Sequence, residues 1–206
     1  LEHAGYCVFA LDYGNRGTQE IAQSALELKA FIQRVLEATG STQVDLVGHS
    51  QGGMMPRYYI KFLGGAARVH DLIGLAPSNH GTTNPLAAPL GQYADCEACT
   101  EQVAGSPFLA NLNAGDQTPP PVNYTVIETS HDEIVTPYQS AFLPLEDGRV
   151  TNVLLQDDCP LDPSEHITIT DDPVAIQWVL NALSSNGPAD PGFKPDCTGL
   201  SLLADL

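Results

Sequence analysis

The chain has 206 residues, enough for one domain with its own core, and 8 Lys plus Arg against 25 Asp plus Glu give it a formal net charge of −17. Such a surface repels nucleic acid and anionic lipid headgroups, and the acidic residues are dispersed rather than gathered into a tail. No apolar run reaches the roughly 18 residues that a spanning helix needs, so neither a nucleic-acid partner nor a membrane span is expected, and no signal peptide is evident.

The first residues, Leu1 to Gly5, read as the last turn of a helix closed by a glycine, and Tyr6 to Leu11 as a strand that buries the thiol of Cys7. There is no initiator methionine, and the chain reads as a segment of a longer protein. From Thr18 to Thr39 the residues Ile21, Ala25, Leu28, Ile32 and Val35 recur at alternating intervals of four and three, which predicts a packing helix ended by Gly40, its stripe widened by Phe31 and Leu36. Val44 to Val47 is a short buried strand, Gln51 to Leu63 a helix closed by Gly64 and Gly65, and Leu72 to Ala76 another strand. Pro56 falls within the first two turns of its helix, where a missing N–H costs little. Between Pro77 and Pro121 the periodicity gives way to Gly, Pro, Ala, Asn and Thr, apart from a helical stretch at Ser106 to Asn113. Residues 78–121 read either as a lid, with Leu86, Ala87, Ala88 and Leu90 suited to cover an apolar substrate, or as a surface loop clipped by cysteines. Val122 to Glu128 and Val150 to Leu155 are the next strands, and Pro173 to Leu183 is the last helix, capped by Asp171 or Asp172. Residues 184–206 follow as a loop or tail. This alternation implies one α/β domain over residues 1–206, a mostly parallel sheet flanked by helices.

Five cysteines are too few for a miniature disulfide scaffold. Cys96 and Cys99 have the spacing of redox or zinc sites, but no second pair accompanies them, which favours a local disulfide. Cys159 and Cys197 flank the last helix, where a bridge would tie the tail to the body. Such bridges suit an oxidising, extracellular setting, while connectivity stays open at this level.

The most informative residues are Gly48-His49-Ser50-Gln51-Gly52. They form a G-x-S-x-G turn between a strand pattern and a helix pattern, the setting that exposes a serine as a nucleophile. The backbone N–H of Gln51, at the helix start, points where an acyl oxyanion would develop. On this architecture the acid and then the base follow the serine in sequence. Asp132 lies just beyond a strand and is the candidate acid, with Glu133 its rival. His166, in the loop after the next strand, is the candidate base. His49 would point away from Ser50, while His80 and His131 sit in loops that could border the pocket. Asp157, Asp158 and Asp162 match no ion loop, so no metal and no cofactor are assigned.

The stretches Gly48 to Tyr59 and Gly74 to Thr82, with the surroundings of Asp132 and His166, resemble secreted bacterial lipases of the α/β-hydrolase superfamily, especially the actinobacterial triacylglycerol lipases. The resemblance implies Ser50 as nucleophile, Asp132 as acid and His166 as base. It further implies Cys96–Cys99 and Cys159–Cys197 as disulfides, and acylglycerol esters met at a lipid–water interface as substrate. The family also places a His-Gly oxyanion loop at the end of a strand that would precede residue 1, so the α/β-hydrolase fold is expected to lack that N-terminal strand and loop. By itself the chain is then expected to be unstable and nearly inactive, and an N-terminally extended version active. The rival functions are a carboxylesterase for short soluble esters, an acyltransferase, and a catalytically silent binding protein on the same scaffold.

Overall fold

In the computed structural model, which describes residues 1–86, 95–145 and 147–198, four strands lie side by side in one parallel sheet. They are β1 (Val44–His49), β2 (Val69–Leu75), β3 (Asn123–Glu128) and β4 (Val150–Leu154), in the spatial order β1-β2-β3-β4. The helices that concern the core and the site are α1 (Ile21–Thr39), α2 (Gln51–Phe62), α3 (Glu97–Glu101), α4 (Pro107–Leu112) and α5 (Pro173–Ser184).

Alternation along the strands sorts the core into two layers, because successive side chains leave a strand on opposite faces. Leu72, Tyr124 and Val126 pack with Ile21, Leu28, Ile32, Met54 and Met55 of α1 and α2. Their neighbours Ile73, Ile127 and Val153 pack with Val174, Trp178 and Val179 of α5. All six residues of β3 are buried, as a strand covered on both faces requires. The predicted stripe on α1 is the buried one, and Gly40 ends the helix at φ 75° with its N–H on the carbonyl of Leu36. At α5 the cap is Asp172 rather than Asp171: its Oδ1 accepts the N–H groups of Val174 and Ala175, both at 2.8 Å.

Three expectations are corrected. Tyr6 to Leu11 is not a strand. An apolar run becomes a strand only by finding a partner, and among the described residues none pairs with it; Val8 and Phe9 are left 44% and 50% exposed. Cys7 is accordingly exposed rather than buried. For the same reason β1 is the edge strand among the described residues, not a buried one, with Val47 38% exposed. Tyr6–Leu11 and β1 together line a groove of about 650 Å³.

The irregular stretch after β2 is largely body. Ala98, Leu109 and Leu112 of α3 and α4 belong to the core, and Cys96–Cys99 closes the turn at α3. Leu86 is exposed, while Ala87, Ala88 and Leu90 lie outside the described residues. The segment after α5 is tied down as far as it is described. Ala189 is buried, its N–H bonded to Thr125 Oγ1 and its carbonyl to Thr151 Oγ1, and Cys197 is bridged to Cys159.

Candidate active site

Ser50 stands where β1 turns into α2, at φ 53° and ψ −121°, a conformation that most residues avoid and that the surrounding packing must impose. Its glycines are required by close approach: a Cβ on Gly48 would lie 2.0 Å from the carbonyl oxygen of Gly52, and one on Gly53 3.0 Å from Cα of Gly74. Gln51 is the first residue of α2, so its N–H has no acceptor inside the helix.

The structure brings Ser50 together with Asp132 and His166, residues separated from it by the whole length of the sheet topology. The Nε2 atom of His166 is 3.0 Å from Ser50 Oγ, and Nδ1 donates to Asp132 Oδ2 at 2.7 Å. Asp132 sits in a turn after β3 where Oδ1 accepts the N–H groups of Ile134 at 2.8 Å and Val135 at 2.7 Å. Asp132 and His166 are both buried. The rival Glu133 is exposed and makes no contact with His166, and His131 is exposed as well. His80 is occupied elsewhere, bonded to the carbonyl of Ser140 and the side chain of Gln117.

Two loops must be held in register for His166 to meet Asp132, and a buried threonine does this. Thr129 Oγ1 donates to the carbonyl of Ser164 at 2.7 Å and accepts from Gln156 Nε2 at 2.9 Å. Asp162 Oδ1 accepts both the N–H and the hydroxyl of Ser164. Asp162 therefore serves the loop, and Asp158 pairs with Lys194.

Several contributors escaped the sequence reading. His49 turns its ring toward His166: its Nε2 donates to the His166 carbonyl at 2.7 Å, and burial lowers its pKa. Arg57 of α2 is buried with its guanidinium on Asn79 and Asn113, and burial lowers it to about 10. Glu128, at the end of β3, is fully buried, and burial together with the charge of Asp132 pushes its carboxyl up to about 9. His49 is the variable second position of the G-x-S-x-G turn, which prescribes no role for it; for Glu128 the one signal available was a charged residue inside an apolar pattern, Val126-Ile127-Glu128.

Among the described residues one group could offer three ligand atoms to a cation, Asp45, His70 and Asp71 at the N-terminal ends of β1 and β2, away from Ser50. There His70 Nδ1 lies 3.3 Å from Asp45 and 2.9 Å from Asp71, so the imidazole itself bridges the two carboxyls.

Comparison with known proteins gives the family of the chain. A family model described as Lipase (class 2) matches residues 2–179. Triacylglycerol lipases from Pseudarthrobacter phenanthrenivorans and Burkholderia plantarii are each 46% identical over 50 residues, 24% of this chain but only 14% and 12% of their own lengths. Aspergillus fumigatus lipase B superposes with a TM-score of 0.78 at 24% identity, over 94% of this chain and 48% of that one. Bacillus licheniformis lipase BlEst2 in its propeptide form gives 0.60 at 15% identity, over 85% and 43%. The chain thus spans less than half the length of each of these proteins, and its parallel sheet flanked by helices has the α/β-hydrolase fold. With the family model covering most of its length, the chain belongs to the class 2 lipases.

Proposed function

We propose that the chain hydrolyses carboxylic esters of lipids, triacylglycerols among them, through an acyl-enzyme on Ser50. The observation that carries this is the relay from Asp132 Oδ2 to His166 Nδ1 and from His166 Nε2 to Ser50 Oγ, at 2.7 and 3.0 Å. A relay of this kind lets the imidazole take the serine proton while the carboxylate fixes its orientation. The substrate class is supported by family membership and by the relatives named triacylglycerol lipases.

In the first half-reaction Oγ of Ser50 attacks the ester carbonyl as His166 Nε2 takes its proton. The N–H of Gln51 helps to hold the oxyanion, and His166 returns the proton to the leaving alcohol. In the second half water attacks the acyl-enzyme along the same path, and Oγ of Ser50 recovers its proton. An extracellular site of action is supported by the two disulfides.

The test is hydrolysis of p-nitrophenyl esters from short to long acyl chains, by this chain and by an N-terminally extended form, each beside Ser50→Ala. Activity that falls by about 10³-fold or more in Ser50→Ala supports the reading. A preference for long chains, rising when the ester forms an interface, separates lipase from carboxylesterase. Folded protein that cleaves none of the esters overturns it.

A further inference from the structure

Glu128 closes β3 four positions before Asp132 and has no exposed surface. Its Oε1 accepts the N–H of Thr129 at 2.8 Å, whereas Oε2 has no donor among the described residues, and no Lys or Arg there forms an ion pair with it. Besides the Thr129 N–H, the carboxyl of Asp132 lies within hydrogen-bonding reach of the Glu128 carboxyl. Two carboxyls in contact and out of water do not both ionise, so one of them carries a proton. The donors decide which. Asp132 receives Ile134 N–H, Val135 N–H and His166 Nδ1–H, three bonds that favour its anion, while Glu128 receives one. The proton belongs on Glu128, and a protonated carboxyl is a donor.

We propose that Glu128 is a positioning residue that, as a neutral acid, donates from Oε2 to the Asp132 carboxylate and holds it in the orientation from which it meets His166. This rests on reading Ser50, His166 and Asp132 as the catalytic relay. Two backbone amides grip one oxygen of Asp132, the imidazole takes the other, and Glu128 braces the group from the end of the neighbouring strand. Burial and the charge of Asp132 raise Glu128 to about 9, opposed by the Thr129 N–H, so the bond persists through neutral pH and is lost above that value. The titratable groups facing the pair are Asp132 itself on its turn, His166 on the loop after β4, and His49 from the end of β1 behind His166. On the sheet the neighbour of Glu128 is Leu154 of β4, which is neutral. Once Glu128 ionises, no Lys or Arg among the described residues pairs with it to offset the repulsion between the two carboxylates.

Glu128→Gln and Glu128→Leu separate the donor from the core side chain. Glutamine keeps an acceptor for Thr129 and offers an amide N–H to Asp132 without titrating; leucine fills similar space and offers neither. Infrared difference spectroscopy of the whole chain is expected to show a buried protonated-carboxyl band at neutral pH that titrates near 9 and is missing in both variants. In ester hydrolysis Glu128→Leu is expected to lose about tenfold in kcat at unchanged KM, the worth of one hydrogen bond, and Glu128→Gln to restore most of it while removing the loss of activity above about pH 9. Absence of the band, or a folded Glu128→Leu with wild-type kcat and an unaltered alkaline limb, overturns the proposal. If no form of the chain hydrolyses esters, the relay reading is what fails, and the infrared band still decides where the proton resides.

Discussion

The carbonyl oxygen of His166 accepts a hydrogen bond from Nε2 of His49, the residue immediately before Ser50, and the two rings lie 4.8 Å apart. His166 is therefore held at its backbone by the turn that presents the serine and at its ring by Asp132. Replacing His49 with Phe keeps a ring but leaves a carbonyl without its donor. The expected result is about tenfold lower kcat and a loss of roughly 1–2 kcal/mol in stability, read from steady-state kinetics and urea unfolding.

Asp132→Asn is expected to fold and to lose about 10⁴-fold in kcat. The amide oxygen can still accept from Ile134 and Val135. The amide nitrogen, facing His166 Nδ1, makes that atom an acceptor and leaves the proton on Nε2, which then cannot take one from Ser50. Kinetics alongside circular dichroism check both halves of the expectation.

Stability is expected to fall toward both acid and alkali. His49 is held below its ordinary 6.5, chiefly by burial, so its contribution is present above that value and is lost as pH falls and the unfolded chain takes up the proton first. Glu128 runs the other way: raised from 4.5 to about 9, its contribution is full below the lower value and is lost as pH rises between the two. Glu128→Gln should raise the thermal midpoint at pH 8 by roughly 3–8 °C, corresponding to about 1–2 kcal/mol, and flatten the alkaline slope. Thermal scans from acid to alkaline pH on wild type and variant check this.

The two disulfides are unequal. Cys159–Cys197 spans 38 residues and fastens the segment after α5 beside the loop that carries His166, whereas Cys96–Cys99 spans 3. The longer loop is worth about 4 kcal/mol in the chain-entropy model. Replacing Cys159 and Cys197 by serine should lower the midpoint by roughly 8–16 °C, and replacing Cys96 and Cys99 by far less. Calorimetry of the two double variants, with the reduced wild type beside them, tests the ranking.

The turn at Ser50 was legible because its chemistry is local: five residues, a strand before and a helix after. Asp132 and His166 were legible because parallel topology places the ends of successive strands at one edge, so chain order alone narrows the choice. The helices α1 and α5 followed from apolar spacing and caps. Other features were hidden for a shared reason. Tyr6–Leu11 has the composition of a strand, but composition does not supply a neighbour. His49 was expected to face away from Ser50, and its bond to His166 depends on a residue 117 positions away. Arg57 and Glu128 are set by partners that only the folded chain brings near.

The bare edge of β1 has a bearing on how the protein behaves at high concentration. Among the described residues the outer row of β1 backbone groups has no strand partner, and next to the half-exposed side chains of Val8, Phe9 and Val47 it is a template for any extended segment that drifts past. Unless that edge is filled, two molecules meeting there would cross-stitch rather than bounce apart, and the strong negative charge, which keeps the rest of the surface apart, is weakest as a barrier when salt is high.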